Sequence, residues 1–590
     1  MLDRLTTLLR APATWIALAL AALVGWVHLP LLRAGGILGA PGTDVIRGAW
    51  GLDHQASALP GLPFWTDRVG FPEGVKIIVL PMVSSLLGAP LHALFGPIAG
   101  YDLWVLALLW ASGFAAALLV RAVSGSAAAG LLAGAVIVVQ PMLLLAVTDG
   151  TPEYVALWPL PTALLATWAA AHPAPRLAEG ASAPPRWLPV VAGLLWGLVA
   201  LDSPYHVVFG LPFLPVVAWG MSRRDLLLFA LAGVVGGAVL LAAYYGLPVG
   251  DVEDQRRGGN AVQLSVWQQW ESGTTNKPWD YTLAPGFVPL YTMVGALALA
   301  TLRPLRSLPW VLVALLCFVL AIGPNLDNAN WLARTHGETA GAVGRAVAAL
   351  NEALPVPVVR FPRRWLVPGA LALTVAAGIG LSRIRWAGAQ AAIAIPLAVA
   401  AVHHTLTLTG YRTALPMFPA PTAAFADFIR DHEADGALLA LPTVRGASTI
   451  ATRREDIPIW ASLDPAIRSA DQLWIQLATG RATVYVPEGM RTMERRTARE
   501  RETEKLLRDL DDLTVPHSQG RPIPPSATQE PPRRAAAAAK LVERGLRFVA
   551  IDEALYGEEG LAYARLPFAS RIVEERRFGD GTGVTVWVVE

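Results

Sequence analysis

The sequence predicts a polytopic membrane protein, mainly α-helical, with a small α/β domain at its C-terminus. Hydrophobic residues make up 54% of the 590 residues and charged residues only 16%, whereas soluble proteins carry about 25% charged residues. The apolar residues are also unevenly placed: residues 1–408 contain long apolar runs, and residues 409–590 are rich in Arg, Glu and Asp. We therefore expect a transmembrane domain over 1–408 and an α/β domain outside the membrane over 409–590.

The charge balance and the cysteine content exclude several classes of protein. The net charge of +2 is too close to neutral to indicate a nucleic-acid partner. Cys317, inside an apolar run, is the only cysteine. A disulfide within the chain is therefore impossible, and nothing favours a cysteine-based metal site.

A helix needs about 20 predominantly apolar residues to cross a bilayer. The first such run is followed by large and charged residues and not by a small-residue cleavage site, so we expect it to remain as a membrane anchor. In all we predict about eleven transmembrane helices, near residues 13–33, 102–120, 126–148, 153–171, 187–202, 204–221, 225–247, 284–302, 308–323, 365–382 and 388–408.

Arginine in the short loops sets the expected orientation. With the N-terminus in the cytoplasm, every short inward loop contains arginine, as the positive-inside rule requires. We therefore expect a bacterial inner-membrane protein with a cytoplasmic N-terminus and an extracytoplasmic C-terminal domain. The arginines of the N-terminal segment and the inward loops are Arg4, Arg10, Arg121, Arg176, Arg186, Arg223, Arg224, Arg303, Arg306, Arg383 and Arg385.

One further apolar stretch, residues 75–96, is long enough to span. Counting it as a span would move all the later arginines to the outer face, against the positive-inside rule. We therefore expect a re-entrant or interfacial pair of short helices there, broken near Pro81 and Pro90.

The C-terminal segment alternates helical and strand patterns. Helices are expected at 421–432, 469–478, 491–513 and 533–545, with a Pro-rich linker at 515–532. Strands are expected at 436–443, 482–486, 547–553, 569–577 and 583–589, the last two joined by a Gly-Asp-Gly hairpin turn at 579–581. The segment contains no Gly-rich phosphate loop, metal-ligand cluster or nucleophile motif.

Ionisable and polar residues collect at the predicted outer ends of the spans. Such groups are costly at membrane depth and are usually functional where they occur. This face therefore carries the candidate chemistry, and its main candidates are Asp44, Asp149, Glu153, Asp202, Tyr205, His206, Arg360, Arg363 and Arg364.

Three short motifs and the order of the spans resemble a known family. A single N-terminal span is followed by a long outward loop with an early Asp44, then by the re-entrant segment and many spans. Residues 70–74 read GFPEG, residues 360–365 read RFPRRW, and residues 547–551 read RFVAI. This pattern resembles the GT-C superfamily of membrane glycosyltransferases, which includes protein O-mannosyltransferases and lipid A aminoarabinose transferases. It is most similar to bacterial multi-span members that have no assigned reaction.

The resemblance implies transfer of a sugar from a polyprenyl-phosphate donor to an acceptor on the outer face. Nucleotide sugars are confined to the cytoplasm, so a donor used outside must be carried by the membrane. In the family, an Asp of the first outward loop takes the proton of the acceptor, and Asp44 matches that position. The alternative role for Asp44 is capping of the helix that follows it. Asp53, further along the same helix, is expected to lie on a solvated face.

The three arginines of the RFPRRW segment are candidates for holding the donor phosphate. Their planar guanidinium groups can donate two hydrogen bonds at once to a phosphate. Arg360, Arg363 and Arg364 lie where a late outward loop re-enters the bilayer, so the alternative is that they extend to the lipid headgroups.

A divalent metal, Mg²⁺ or Mn²⁺, is a further expectation. Asp149, Glu153 and Asp202 could gather around it with Asp44, because hard oxygen ligands suit both ions. Their spacing is not diagnostic, and capping or surface roles are the alternative. Tyr205 and His206 follow Asp202 closely and could orient it or contact a sugar, or they could be hydrogen-bonded interface residues.

Two other functions compete with a glycosyltransferase. A non-catalytic component of envelope glycan export or assembly would have the same architecture. A transporter is disfavoured, since the sequence shows no repeated halves with interrupted helices in matching positions. Neither the sugar nor the acceptor, which could be a glycan, a lipid or a protein, follows from the sequence.

Overall fold

The computed structural model describes sixteen segments of the chain. They are residues 11–32, 37–39, 45–59, 65–69, 75–76, 81–172, 185–244, 290–322, 349, 362–408, 424–441, 472–484, 505–506, 510, 532–578 and 583–590.

Helices dominate the described part of the chain up to residue 408. In chain order they are α1 (Pro12–Leu32), α2 (Val45–Ala58), α3 (Met82–Ser124), α4 (Ala127–Val138), α5 (Pro141–Asp149), α6 (Pro152–Val155), α7 (Pro159–Ala171), α8 (Leu188–Asp202), α9 (Pro204–Gly210), α10 (Leu214–Val217), α11 (Arg223–Tyr244), α12 (Leu290–Ala300), α13 (Pro304–Ile322), α14 (Leu366–Leu381) and α15 (Ala387–Leu408). A two-stranded hairpin of β1 (Trp65–Thr66) and β2 (Val75–Lys76) lies between α2 and α3.

Apolar helices of membrane-spanning length are present, as the sequence predicts. Among the described residues, four stretches are long and apolar enough to cross a membrane: Met82–Ser124, Ala127–Thr148, Pro152–Ala171 and Pro304–Ala321. Five shorter apolar helices accompany them: Pro12–His28, Leu188–Asp202, Pro204–Val217, Leu366–Leu381 and Ala387–His403. The chain is therefore a polytopic membrane protein, while the number of eleven spans stays a prediction.

Glycine allows the membrane helices to approach each other closely. A Cβ atom on Gly197 of α8 would lie 2.5 Å from the Cα of Gly236 in α11. Small residues serve the same purpose in membrane bundles generally, because van der Waals contact replaces the hydrophobic driving force there.

Helix α3 contains a sharp reversal at Gly96. The backbone of Gly96 has φ 77° and ψ 179°, a conformation open to glycine because it lacks a Cβ. The two legs of α3 lie face to face, since a Cβ on Gly88 would be 2.5 Å from Cδ1 of Trp104. Residues 82–95 form a leg about 21 Å long at 1.5 Å per residue, too short to cross a hydrocarbon core about 30 Å thick.

These positions correct part of the prediction for residues 75–96. The helix begins directly after Pro81, as predicted. The second break, however, lies at Gly96, and Pro90 sits inside the helix. The prediction of a break near Pro90 was wrong because a helix tolerates a proline when neighbouring helices and side chains compensate for its missing N–H.

The C-terminal part is a four-stranded sheet with helices on both faces. Its strands are β3 (Ala437–Leu441), β4 (Leu546–Asp552), β5 (Ile572–Phe578) and β6 (Val584–Val589), in the order β3-β4-β6-β5. Strand β4 is parallel to β3 and antiparallel to β6, which also pairs antiparallel with β5. Helices α16 (Ala424–Asp431), α17 (Gln472–Thr479), α18 (Pro532–Glu543) and α19 (Glu553–Arg565) complete this part.

Most of the predicted tail elements are confirmed. The β5–β6 hairpin and helices α16, α17 and α18 lie where they were predicted. Of the predicted strand at 482–486, residues 482–484 are described, and Thr483 forms isolated bridges there. Helix α19 was not predicted. The predicted linker at 515–532 lies outside the described residues, except for Pro532, which begins α18. The predicted helix at 491–513 is described only at 505–506 and 510.

The sheet buries apolar side chains on both of its faces. Leu438, Phe548 and Val586 share a buried cluster with α1, α2 and the membrane helices. The alternate residues Leu439, Val549 and Trp587 belong to a second cluster with α18 and α19. This alternation follows the two-residue period of a strand.

Candidate functional site

Arg364 lies at the centre of a cluster built from three turns that the sequence analysis predicts to face outward. It belongs to a short 3₁₀ helix, Pro362–Trp365, directly before α14. The neighbouring Trp365 is buried and packs on Phe209, with ring centroids 5.0 Å apart. This packing fixes the backbone from which the Arg364 side chain extends.

The guanidinium of Arg364 contacts both the hydroxyl and the ring of Tyr154. Arg364 Nη1 donates a hydrogen bond to the Tyr154 hydroxyl, and the guanidinium carbon lies 3.5 Å from the centroid of the Tyr154 ring. The ring of Tyr205 is 5.9 Å from the same carbon, and Tyr205 and Glu153 both act electrostatically on Tyr154. The arginine is therefore held by one hydrogen bond and two aromatic faces.

A small cavity opens beside this cluster. Its volume is about 20 Å³, and Thr151, Tyr154, His206, Phe209 and Arg364 are among its lining residues. A cavity of this size holds about one water molecule. The cavity is therefore too small to hold a phosphate or a sugar.

His206 is the buried polar member of the cluster. It is 1% exposed, and its ring stands edge-on to Tyr154 with centroids 6.4 Å apart. Its Nδ1 atom has no hydrogen-bond partner among the described residues. The structure thus brings together four of the predicted residues, namely Glu153, Tyr205, His206 and Arg364.

Asp202 faces away from this cluster and caps the first leg of α3. Its Oδ1 accepts from the backbone N–H of Ser84 at 2.8 Å, and its Oδ2 accepts from the Ser84 hydroxyl. Trp158 Nε1 donates to the same hydroxyl at 2.8 Å. Asp202 therefore has the capping role that was the alternative to metal ligation, because it satisfies an N–H of the first helical turn.

The remaining predicted residues lie outside the described residues, in whole or in their side chains. Asp44 and Arg360 are outside, and for Asp149 and Arg363 only the backbone is described. Among the described residues, no three His, Cys, Asp or Glu side chains gather as a metal site. Both carboxylate oxygens of Asp202 are engaged by Ser84, whereas the side chains of Asp44 and Asp149 are not described, so the divalent-metal site stays a prediction.

Helix α2, which begins directly after Asp44, packs on the turn that leads to Tyr154. A Cβ on Gly48 of α2 would lie 3.1 Å from the carbonyl oxygen of Gly150. A Cβ on Gly39 would lie 2.5 Å from Cγ2 of Val45 and 3.3 Å from the carbonyl oxygen of Thr148. The start of α2 and the Arg364 cluster are therefore attached to the same short turn between α5 and α6.

A charged network ties α2 to the rest of the first loop. Arg68 Nη2 lies 2.5 Å from Asp53 Oδ2, and His92 Nε2 lies 2.8 Å from Asp53 Oδ1. Burial raises the pKa of Asp53, but the hydrogen bond from His92 and the charge of Arg68 outweigh it and hold the pKa below its ordinary value. Asp53 is 9% exposed, so the prediction of a solvated-face residue was wrong.

Three contributors to the site were not found from the sequence. Tyr154 lies at the start of the predicted span 153–171, and its partner Arg364 is 210 residues away. Gln476, in α17, accepts hydrogen bonds from the first loop, and Ser84 binds Asp202. No local pattern signals such long-range contacts, although the Pro152 that opens α6 does predict a helix start there.

Comparison with known proteins supports the fold. No protein-family model matches the sequence, and no curated protein matches it either. The cryo-EM structure of the mycobacterial arabinofuranosyltransferase AftD has a TM-score of 0.52 at 15% identity, over 97% of this chain and 41% of AftD. The chain therefore shares a fold with AftD, while spanning less than half the length of AftD.

Two further structures are similar at lower TM-scores. ArnT from Cupriavidus metallidurans bound to undecaprenyl phosphate has a TM-score of 0.45 at 14% identity, over 98% of both chains. The Archaeoglobus fulgidus oligosaccharyltransferase AglB, in complex with an inhibitory peptide and a dolichol-phosphate, has a TM-score of 0.41 at 13% identity, over 97% of this chain and 74% of AglB.

Proposed function

We propose that this protein is a glycosyltransferase that moves a sugar from a polyprenyl-phosphate donor to a cell-envelope acceptor on the outer face of the membrane. The observations that support it best are two contacts in one region of the chain. Arg364 is held by Tyr154 of α6, and helix α2, which begins directly after Asp44, contacts Gly150 in the turn that leads into α6. A cation for a phosphate and a carboxylate for a hydroxyl proton are the two groups that this transfer needs.

The proposed chemistry assigns one role to each group. Asp44 accepts the proton of an acceptor hydroxyl, whose oxygen attacks the anomeric carbon of the sugar. The bond from that carbon to the phosphate oxygen breaks, and polyprenyl phosphate leaves with the bonding electrons. Arg364 offsets the negative charge that grows on the leaving phosphate, and Arg360 and Arg363 are proposed to assist it.

The proposed location is a bacterial inner membrane, with the N-terminus inside and the C-terminal domain outside. Trp187, Trp219 and Trp386 are 59%, 79% and 75% exposed, which supports a membrane–water interface at this end of the helices, whichever side of the membrane it faces. All three lie close in sequence to the arginine-containing loops predicted to face the cytoplasm. Exposed tryptophan at such positions is typical of a membrane–water interface.

No step of the proposed reaction passes through a metal. Asp202 is engaged by Ser84 through both carboxylate oxygens, so we propose a structural role for it. Transfer that persists in EDTA would exclude a divalent metal from the reaction. A loss of transfer that Mg²⁺ or Mn²⁺ restores would return Asp44, Asp149 and Glu153 to a ligand role.

The direct test is sugar transfer from radiolabelled polyprenyl-phosphate sugars by the purified protein. Asp44→Asn and Arg364→Ala are expected to abolish transfer. Arg224→Ala is the matched control, because it removes an exposed arginine at the start of α11, and it should leave transfer unchanged. Transfer unaffected by Asp44→Asn would refute the base assignment. A folded wild-type protein that uses none of the donors would favour the non-catalytic alternative.

A further inference from the structure

Gln476 joins the C-terminal domain to the first outward loop. It lies in α17 with 0% of its side chain exposed. Its Oε1 atom accepts a hydrogen bond from Trp50 Nε1 of α2 at 2.5 Å and another from Arg68 Nη2 at 3.1 Å. One buried carbonyl oxygen thus satisfies donors from two segments of the loop.

Arg68 extends this contact into the charged network of the loop. Its other partner is Asp53 of α2, which also binds His92 on the first leg of α3. Gln476 therefore contacts α2 twice, directly through Trp50 and indirectly through Arg68 and Asp53. Networks of this kind stabilise one arrangement strongly, because each buried member left without a partner costs free energy.

A second connection holds the same two parts together independently of Gln476. The backbone N–H of Thr483 donates to the carbonyl oxygen of Arg68 at 2.9 Å, and Val69 and Thr483 form an isolated parallel bridge. A change at Gln476 therefore leaves the domain attached and alters mainly how α2 is held.

We propose that Gln476 is a positioning residue through which the C-terminal domain fixes α2, the helix that directly follows the proposed base Asp44 in the sequence. This inference rests on the proposed transferase function. It gives the C-terminal domain a role in the reaction although it contributes no group to the chemistry. Because a shift of about 1 Å in a reacting group can reduce a rate about 100-fold, the hold on α2 governs turnover and not donor binding.

Gln476 can be replaced conservatively by glutamate. Gln476 Nε2 has no hydrogen-bond partner among the described residues, so the carbonyl oxygen alone carries the two contacts. Gln476→Glu keeps an oxygen acceptor that can receive both donors, and Gln476→Leu removes it. We expect the leucine variant to lower kcat between about 10-fold and 100-fold with an unchanged KM for the donor, and the glutamate variant to restore most of the loss.

The test combines turnover with hydrogen–deuterium exchange on the full-length protein in detergent. In Gln476→Leu, faster exchange of amides in residues 45–58, without a change in α14, would support the inference together with the fall in kcat. Unchanged exchange in α2, or a wild-type kcat in Gln476→Leu, would overturn it. A fall in kcat that Gln476→Glu does not restore would also overturn it, since loss of the acceptor would then not be the cause.

The two proposals fail in different ways. If the wild-type protein transfers no sugar from any donor, the proposed transferase function fails. Hydrogen–deuterium exchange in α2 would still report whether Gln476 holds that helix. If the wild-type protein is active and Gln476→Leu equals it in kcat, only the positioning role fails.

Discussion

Replacing Tyr154 by Phe removes the hydroxyl that receives Arg364 and keeps the aromatic ring beneath the guanidinium. In the native protein the hydrogen bond and the ring contact at 3.5 Å hold a long, flexible side chain in one position. Without the hydroxyl, part of the conformational entropy of Arg364 would be lost only when the proposed donor phosphate binds.

The size of this effect follows from the geometry. A hydrogen bond to a charged group contributes about 1.5–3 kcal/mol, and the lower end applies because Arg364 is half-buried. The rotamer entropy of an arginine, at most about 2 kcal/mol, limits what pre-ordering can contribute. A loss of about 1.4 kcal/mol is a factor of ten, so we expect Tyr154→Phe to lower kcat/KM for the donor about tenfold.

A second substitution separates the hydroxyl from the ring. Tyr154→Leu also removes the cation–π contact, which contributes about 0.5–1 kcal/mol at a partly exposed site. We expect a further loss of about twofold to fivefold, measured with the radiolabelled donor at several concentrations. Tyr563→Phe, a buried tyrosine of the C-terminal domain, is the control. Wild-type kcat/KM in Tyr154→Phe, beside an inactive Arg364→Ala, would refute the role of the hydroxyl.

Three further predictions concern stability, each measured as the thermal unfolding midpoint in detergent. The pKa of Asp53 is lowered in the folded protein. Its ionised carboxylate therefore contributes to folding stability above the unfolded pKa of about 3.9, and this contribution is lost as pH falls through the folded pKa. Asp53→Asn should therefore flatten the loss of stability below about pH 4, and an unchanged pH profile would contradict this. Gly96→Ala should destabilise by about 1–2 kcal/mol, since it forces a side chain into a left-handed backbone, whereas Gly237→Ala, in a helix with open space around it, should not destabilise. Asp202→Ala should destabilise by about 1–3 kcal/mol, because Ser84 loses its buried acceptor, with transfer per folded molecule retained; loss of transfer at full stability would point to a role in the reaction.

The sequence predicts the helices well because a membrane imposes a simple requirement. A run of about 20 apolar residues has few alternatives to a spanning helix, and each predicted run contains a helix in its described part. The strands β4 and β6 were equally clear, since apolar strand-forming residues are bounded by turn signals. These are local features, and local features are what a single sequence displays.

Contacts between distant segments explain what the sequence did not predict. Asp53 lies in a helix whose composition suggested exposure, yet Arg68 and His92 reach it from two later segments. The sequence predicted breaks at prolines, but the chain reverses at Gly96. The positive φ of that residue, which glycine adopts readily, brings the two legs of α3 together. The sequence position of Asp202 allows helix capping or metal binding, and it does not reveal the hydrogen bonds with Ser84, which lies 118 residues away.

The division of the chain at residue 408 stays a prediction, and the apolar core indicates that the two parts depend on each other. Buried Leu438, Phe548 and Val586 of the sheet belong to the same cluster as the membrane helices, and buried Gln476 satisfies Trp50 and an arginine of the first loop. Truncation after residue 408 would leave Trp50 Nε1 without its acceptor and uncover apolar surface outside the membrane, which favours association. We therefore expect the truncated chain to aggregate in detergent on size-exclusion chromatography, with faster hydrogen exchange in α2. A monodisperse truncated protein with native exchange in α2 would show instead that the membrane part folds and holds its first loop independently.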